Sequence, residues 1–218
     1  MFAKFHGPLV SVLRIGPDQA PADARATESR WLNLSMTHSD SRQSQVLDAA
    51  AHFFRSKGFE ATSMRDIARA VGMLPGSLYC HFASKDDLLA AVYAKGVAQI
   101  SQAVTAAVER HSDPWARLEA ACIAHMESIL QKNDYAKVVV RVRPGDSAAA
   151  NRRLVQLRDD FECLLIALID DLPLKARSDR RMFRLMLLGA MNWSQTWYQP
   201  NGLTPRTIAR RFVALLRD

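Results

Sequence analysis

Cysteine is scarce in this chain. Its three cysteines, Cys80, Cys122 and Cys163, are far apart and odd in number, and no CxxC pair occurs. That excludes a disulfide framework and a zinc site of the usual ligand spacing, and it suits free thiols in a reducing compartment. Long apolar runs are also missing. The stretch from Phe161 to Leu174 is interrupted by Glu162, Asp170 and Asp171, so nothing reaches the ~18 uninterrupted apolar residues of a membrane span. The first residues carry no apolar segment followed by a cleavage site. The chain is therefore expected in the cytoplasm, with no membrane partner.

The signatures of catalysis are absent too. There is no glycine-rich phosphate loop, no G-x-S-x-G, no H-E-x-x-H and no paired carboxylates in a plausible site. Asp170 and Asp171 are adjacent at a helix end and point two ways. No enzyme activity, cofactor or metal is expected. Alternating β-branched patterning is lacking except from Val138 to Val142, which is short and ambiguous. The fold class is all-α.

What the chain does have is enough apolar residue for a core, 49% of 218, and an excess of base. Lys plus Arg number 29 against 22 for Asp plus Glu, a formal net charge of +7. That balance favours an anionic partner: nucleic acid, an anionic ligand or an acidic lipid surface.

Residues 1–39 differ from the rest. Gly7-Pro8, Gly16-Pro17 and Pro21 interrupt every periodic pattern, so this segment reads as a flexible arm. Met36 stands just before the first clean helical pattern, which leaves open that translation starts there. From Ser41 the spacing is helical: Val46, Leu47, Ala50, Phe53 and Phe54 make one apolar stripe, and Gly58 is a natural stop. A short helix over 63–71 follows, capped by Thr62 or Ser63, with Ile67 and Ala68 facing inward. Gly72 breaks it. The next helix starts near Leu74, with Pro75 in its first turn. Ser84 then caps a long helix. Further helices are expected over about 85–110, 114–132, 135–142, 147–171, 179–199 and 204–217, with Thr204 and Pro205 as N-cap and first residue.

Two short helices joined by a glycine turn, with a third laid across them, make a helix-turn-helix. The last of the three must lie in a DNA major groove, so its outer face should be polar. Leu78 and Phe82, four apart, face inward and leave Ser77, Tyr79, Cys80 and His81 on or near the outside.

The stretch TSMRDIARAVGMLPGSLYCHFASK, residues 62–85, closely resembles the DNA-binding domain of TetR-family regulators. The matching residues are Thr62-Ser63, Ile67-Ala68, Gly72, Gly76-Ser77-Leu78-Tyr79-Cys80-His81-Phe82, Ser84-Lys85 and Leu88. Ala49-Ala50, Phe53-Phe54 and Gly58-Phe59 fit upstream. Leu74 stands where many members carry a small or polar residue. The resemblance implies a three-helix DNA-binding domain over 40–86 and a helical ligand-binding and dimerisation domain over 87–218. The protein would be a repressor that binds a palindromic operator in double-stranded DNA as a homodimer, released by a small-molecule effector. DNA contacts are then expected from Thr62, Ser63, Arg65, Leu74, Pro75, Gly76, Ser77, Tyr79, Cys80, His81 and Lys85. Ser63, Tyr79 and Lys85 would hold phosphates, and Arg65 could pair with guanine. The plain alternatives are a half-buried Tyr79, a solvated Arg65 and a His81 that only packs. Over 41–95 seven cations face five anions, so affinity must come from placement and from two copies of the reader, not from a large positive field.

In the second domain eleven cations face seven anions over 137–184. The end of the chain, Leu187 to Trp193 and Trp197 to Pro200, resembles a subgroup linked to fatty-acid, steroid or aromatic-acid catabolism. An acyl-CoA or another anionic apolar effector fits both features, with Arg141, Arg143, Trp193 and Trp197 as candidate ligand residues; a solvated arginine face is the competing reading. Phe161, Leu164, Leu165 and Leu168, with Phe183, Leu187 and Met191, form stripes expected to pair with a second copy, although each could equally be internal core. An architectural protein using its basic helices, or a helical enzyme, are the alternative functions.

Overall fold

The computed structural model describes residues 41–131, 133–142, 149–175 and 179–217. The expected arm over 1–39 lies outside the described residues. Among the described residues every regular element is helical. Helix α1 covers residues 41–57. Then come α2 (Met64–Ala70), α3 (Pro75–His81), α4 (Lys85–Val108), α5 (Pro114–Leu130), α6 (Asp134–Arg141), α7 (Asn151–Asp170), α8 (Arg180–Trp193), a 3-10 turn (Ser194–Thr196) and α9 (Pro205–Arg217).

The boundaries follow from local chemistry. Ser84 accepts from the Asp87 amide at 3.0 Å and opens α4. Asp113 accepts from the Ala116 amide at 2.8 Å, with Pro114 behind it, and opens α5. Asp179 and Thr204 do the same for α8 and α9. Each such cap satisfies an amide that the helix itself leaves unpaired, worth about 1 kcal/mol. The Val138–Val142 stretch, ambiguous in sequence but expected within a helix over about 135–142, is helical through Arg141. The helix expected over 179–199 ends at Trp193 and tightens into the 3-10 turn.

Two apolar cores are strung along α4. Its first half, through Leu88, Leu89, Val92 and Tyr93, packs with Val46, Ala50 and Phe54 of α1, Ile67 of α2 and Leu78 of α3. Val138 of α6 and Leu154 of α7 close the same core. The second half of α4, through Ile100 and Val104, packs with α5, α7, α8 and α9. A single helix therefore belongs both to the helix-turn-helix core and to the bundle behind it.

The stripes expected to pair with a second copy turn inward. Leu165 and Leu168 of α7 and Leu187 and Met191 of α8 are all buried within this one chain. Leu164, Phe161 and Phe183 are half-buried, Phe183 lying 6.5 Å from Trp115 of α5. Helices α7 and α8 carry apolar residues over more than one arc, and only packing selects which arc meets the chain's own core. The exposed apolar arc holds Ile166, Met182, Leu185, Met186 and Trp193.

Candidate DNA-reading face and effector cavity

The reading face is assembled by two left-handed glycines. Gly58 ends α1 at φ 85° and Gly72 joins α2 to α3 at φ 65°, a backbone region that residues with a Cβ rarely enter. Ser63 opens α2 with a capping box: its hydroxyl accepts from the Asp66 amide at 3.1 Å, and Asp66 Oδ2 lies 2.7 Å from the same hydroxyl. Those bonds to Ser63 hold the Asp66 carboxyl below its usual range. Pro75 occupies the first turn of α3. Leu78 is fully buried and Phe82 nearly so, which fixes the inner side of α3 to the core. The outer side stays free. Tyr79 is 52% exposed and Leu74 is 76% exposed, and Arg65, Pro75, Gly76, Ser77 and Cys80 are exposed around them.

Behind this face lies a small cavity of about 170 Å³, walled by α4, α5, α6, α7 and α8. Val97 and Ile100, Val139 and Val140, Phe161 and Leu188 make it largely apolar. Five polar side chains, Tyr93, His125, Arg158, Glu162 and Asn192, interrupt that lining. His125 is 2% exposed and stacks on Phe161 at 5.6 Å between centroids. Its Nε2 lies 3.0 Å from Asn192 Oδ1, while no described residue offers Nδ1 a partner. Burial, only partly opposed by the Asn192 bond, pushes its pKa below the ordinary 6.5, so the ring is neutral. At the rim, Glu162 pairs with Arg184 at 2.6 Å and with Arg158 at 3.5 Å. A larger concavity of about 1260 Å³ between α4, α5 and α9 is open to solvent. Two of its arginines, Arg206 and Arg210, already face Glu127 and Glu119.

The cavity's α6 wall is tied to α1 by polar contacts. Asp134 lies 2.8 Å from Arg55 Nε and 3.2 Å from His52 Nδ1. The Tyr135 hydroxyl donates to Asp48 at 2.5 Å, and Lys95 of α4 reaches the same carboxylate at 3.4 Å. Arg141 donates to the Arg55 carbonyl at 2.5 Å. Burial and the neighbouring carboxylate push the Tyr135 hydroxyl far above its ordinary pKa.

Residues 46–92 match the family described as "Bacterial regulatory proteins, tetR family", and residues 111–218 match "Tetracyclin repressor-like, C-terminal domain". The chain belongs to the TetR family of transcriptional regulators. It is 27% identical over 187 residues to the HTH-type transcriptional repressor KstR2 of Mycobacterium tuberculosis, covering 81% of this chain and 92% of that one. The fold is similar to that of superantigen PfiT, at TM-score 0.70 and 31% identity over 80% of this chain and 95% of the other. It is also similar to AibR, solved in complex with isovaleryl coenzyme A and operator DNA, at TM-score 0.72 and 23% identity over 80% and 97%. This TetR-family chain is a DNA-binding transcriptional regulator.

Not every residue expected at the DNA face of this TetR-family regulator stands there. Thr62 is buried, and its hydroxyl donates to the Gly58 carbonyl at 2.7 Å, so it shapes the turn. The Lys85 ammonium donates to the Phe59 carbonyl at 2.9 Å and sits 4.2 Å above the Phe59 ring. It braces α4 on the loop after α1 and does not hang free. His81 is half-buried, and Cys80 points its thiol at the Gly76 carbonyl of its own helix.

The expected ligand residues fare differently from the DNA residues. Arg143 lies outside the described residues. Arg141 is a tie to α1, and Trp193, 65% exposed, lies on the outer surface. Trp197 packs edge-on against Phe212 of α9, at 6.5 Å between centroids. None of the three described residues lines the cavity. The charged residues that do are Arg158 and Glu162, and the polar pair is His125 and Asn192. A signal for the pair existed: each is a lone polar residue in an apolar helical stripe, beside Cys122 and Ile129 on α5 and Leu188 and Met191 on α8. Among the described residues no group of acids, histidines and cysteines could hold a metal. Cys122 is buried, which pushes its thiol up to about 12, so it is inert. No described helix is long and apolar enough to cross a membrane.

Proposed function

We propose that this chain is a homodimeric cytoplasmic repressor, without catalytic activity, that holds a palindromic operator through α3 and releases it when an effector fills the α4–α8 cavity. One observation carries the reading: the α6 wall of the cavity is the same helix that grips α1 of the DNA reader, through Asp134, Tyr135 and Arg141. Expansion of the cavity would move α6, and α6 would pull α1 and the helices packed on it. Two readers must sit about 34–36 Å apart to enter successive major grooves, so a small displacement in each copy is enough to spoil simultaneous docking. On this reading residues 40–86 read DNA and residues 87–218 bind effector and second copy.

The second copy would mate through the outward apolar arc of α7 and α8, where Ile166, Met182, Leu185, Met186 and Trp193 stand exposed. Monomeric soluble proteins rarely expose contiguous apolar patches larger than a few hundred Å². At the DNA, Tyr79, Arg65, Ser77 and the Pro75-Gly76 turn are the reading groups, with Ser63 beside them.

The effector would have a compact apolar body. A cavity of about 170 Å³ is close to the ~150 Å³ apolar cavity that accepts benzene, so a short acyl or single-ring group fits and a fused-ring skeleton does not fit without opening the walls. Arg158 at the rim, which faces Asp159 at 3.1 Å and Glu162 at 3.5 Å, would meet an anionic end by exchanging one of those carboxylates for it. An acyl-CoA with a short acyl group meets both demands, in keeping with the isovaleryl coenzyme A bound by AibR.

The test is footprinting of the purified chain on the DNA flanking its own gene, with and without short-chain acyl-CoAs, alongside Tyr79→Ala and a Met186→Glu/Trp193→Glu double variant. A two-fold symmetric footprint, lost in Tyr79→Ala and accompanied by monomerisation of the double variant in sedimentation, is expected. Binding that shows no sequence preference, or that persists unchanged in Tyr79→Ala, overturns it.

A further inference from the structure

Resting on the reading of α3 as the helix that enters the major groove, we infer that Leu74 reads the C5-methyl group of a thymine in each half-site. Leu74 is the last residue of the turn between α2 and α3 and stands in the capping position of α3. It fills that position poorly. Serine, threonine, asparagine or aspartate there would offer an oxygen to an unpaired amide of the helix. Ser63, Ser84, Asp113, Asn133 and Asp179 each supply one to another helix of this chain, whereas Leu74 makes no side-chain bond to α3. Nor does it fill the core, since it is 76% exposed. A lone exposed leucine is ordinary on a protein surface, but this one also forgoes a cap.

Gly76, two residues on, repeats the pattern. It lies within α3 without a positive φ, and a Cβ added there would meet nothing within 4 Å. Neither backbone conformation nor packing inside the chain calls for glycine, which weakens a helix relative to alanine. Its effect is to keep the surface low, so that a partner outside the chain can approach the backbone closely. Positions that give up local stability with no return inside the molecule mark contacts made outside it.

The chemistry of the stretch selects the methyl. Across Leu74, Pro75 and Gly76 no side chain carries a hydrogen-bonding atom, and Pro75 has no amide proton. The Leu74 carbonyl already accepts from the Ser77 amide at 3.0 Å. These side chains therefore cannot pair with the oxygens, ring nitrogens or amino groups of base edges. In the major groove the apolar group that a base presents is the thymine C5-methyl, and contact with Leu74 removes both from water. Hydrogen-bonding readout is left to Arg65 and Ser77, exposed around it.

The experiment selects duplexes from a random pool with the full-length native chain, then replaces each thymine of the selected site in turn by uracil, which removes only the methyl. At one position in each half-site, uracil is expected to lower affinity about fourfold, in line with one buried methyl. Leu74→Ala should bind the thymine and uracil duplexes equally at that position. The ratio between the two chains cancels any effect of uracil on the duplex itself, and the native-chain comparison needs no variant to fold. A selected site in which no thymine-to-uracil change weakens the native chain, or in which the penalty is the same in Leu74→Ala, overturns the inference and leaves α3 as the reader. A pool from which no sequence is enriched overturns the α3 reading and the inference with it.

Discussion

The Arg141 guanidinium, on the last residue of α6, donates to the main-chain carbonyl of Arg55 near the end of α1, 2.5 Å away. The two residues are 86 positions apart in the chain. The bond joins a helix that walls the cavity to a helix that carries the DNA reader. It also supplies a partner to a carbonyl in the last turn of α1, where the helix leaves four without one.

Arg141→Met removes the donor and keeps the side chain's bulk. Arg141 is exposed, so the stability change is expected to stay below about 1 kcal/mol. Operator affinity without effector should change little. The fold-loss of affinity on adding effector should shrink only in part, because Asp134 and Tyr135 still tie α6 to α1. Paired operator titrations with and without saturating effector read this directly.

Substitutions on the two sides of α3 should separate folding from DNA binding. Leu78→Ala empties a fully buried site and is expected to cost about 2–5 kcal/mol of stability. Tyr79→Ala removes an exposed ring and should alter stability by no more than about 0.5 kcal/mol, while lowering operator affinity at least tenfold. Thermal melts and a titration on the same samples give both numbers.

Gly96 sits where α4 crosses α6. A Cβ there would lie 2.6 Å from Val139 Cγ2 and 2.7 Å from the Tyr135 carbonyl oxygen. The side chain can turn away, but the backbone oxygen cannot without moving α6. Gly96→Ala is expected to destabilise by about 1–3 kcal/mol, despite alanine's better helix propensity. It should also weaken operator binding in the absence of effector, since it displaces α6 in the way an effector would. Melting curves and effector-free titrations check the two effects together.

Acid should expose the buried imidazole. The folded pKa of His125 lies below the unfolded value near 6.5, chiefly through burial. Below that pH the unfolded chain binds a proton that the folded chain refuses, so stability falls as the solution is acidified and is fully present above pH 6.5. The charged groups lining the same cavity are Arg158 and Glu162 of α7, and Tyr93 of α4 adds a phenol. His125→Gln should flatten the acid limb of a stability–pH curve recorded by urea denaturation.

Tyr135 predicts the opposite limb. Its hydroxyl pKa is raised by burial and by the bond to Asp48. The folded state therefore keeps a proton that the unfolded state loses above pH 10, and stability declines as pH rises through that region. Tyr135→Phe should remove this alkaline decline, and the same denaturation series extended above pH 10 measures it.

Much of this molecule was legible in local sequence. Ser63, Pro75, Ser84, and Thr204 with Pro205 mark helix starts that depend on a few neighbouring amides. Gly58 and Gly72 mark stops that depend on one backbone angle. The inward pair Leu78 and Phe82 follows from a spacing of four. Such signals act over a single turn, so a linear string contains all the partners involved. Lys85 shows where that reach ends. It belongs to the motif, yet the Phe59 carbonyl to which its side chain donates lies 26 residues away and is brought to it by the packing of α4 on α1.

The amino-acid order by itself determined the helices, most of their starts and the exposed outer face of α3, because capping, backbone sterics and amphipathic spacing are short-range. Only the tertiary structure decided which apolar arc of α7 and α8 faces inward, and it placed His125 and Asn192, 67 residues apart, across one cavity. Those outcomes depend on how distant helices divide a shared volume, and close packing is a property of the assembled bundle that no single helix encodes.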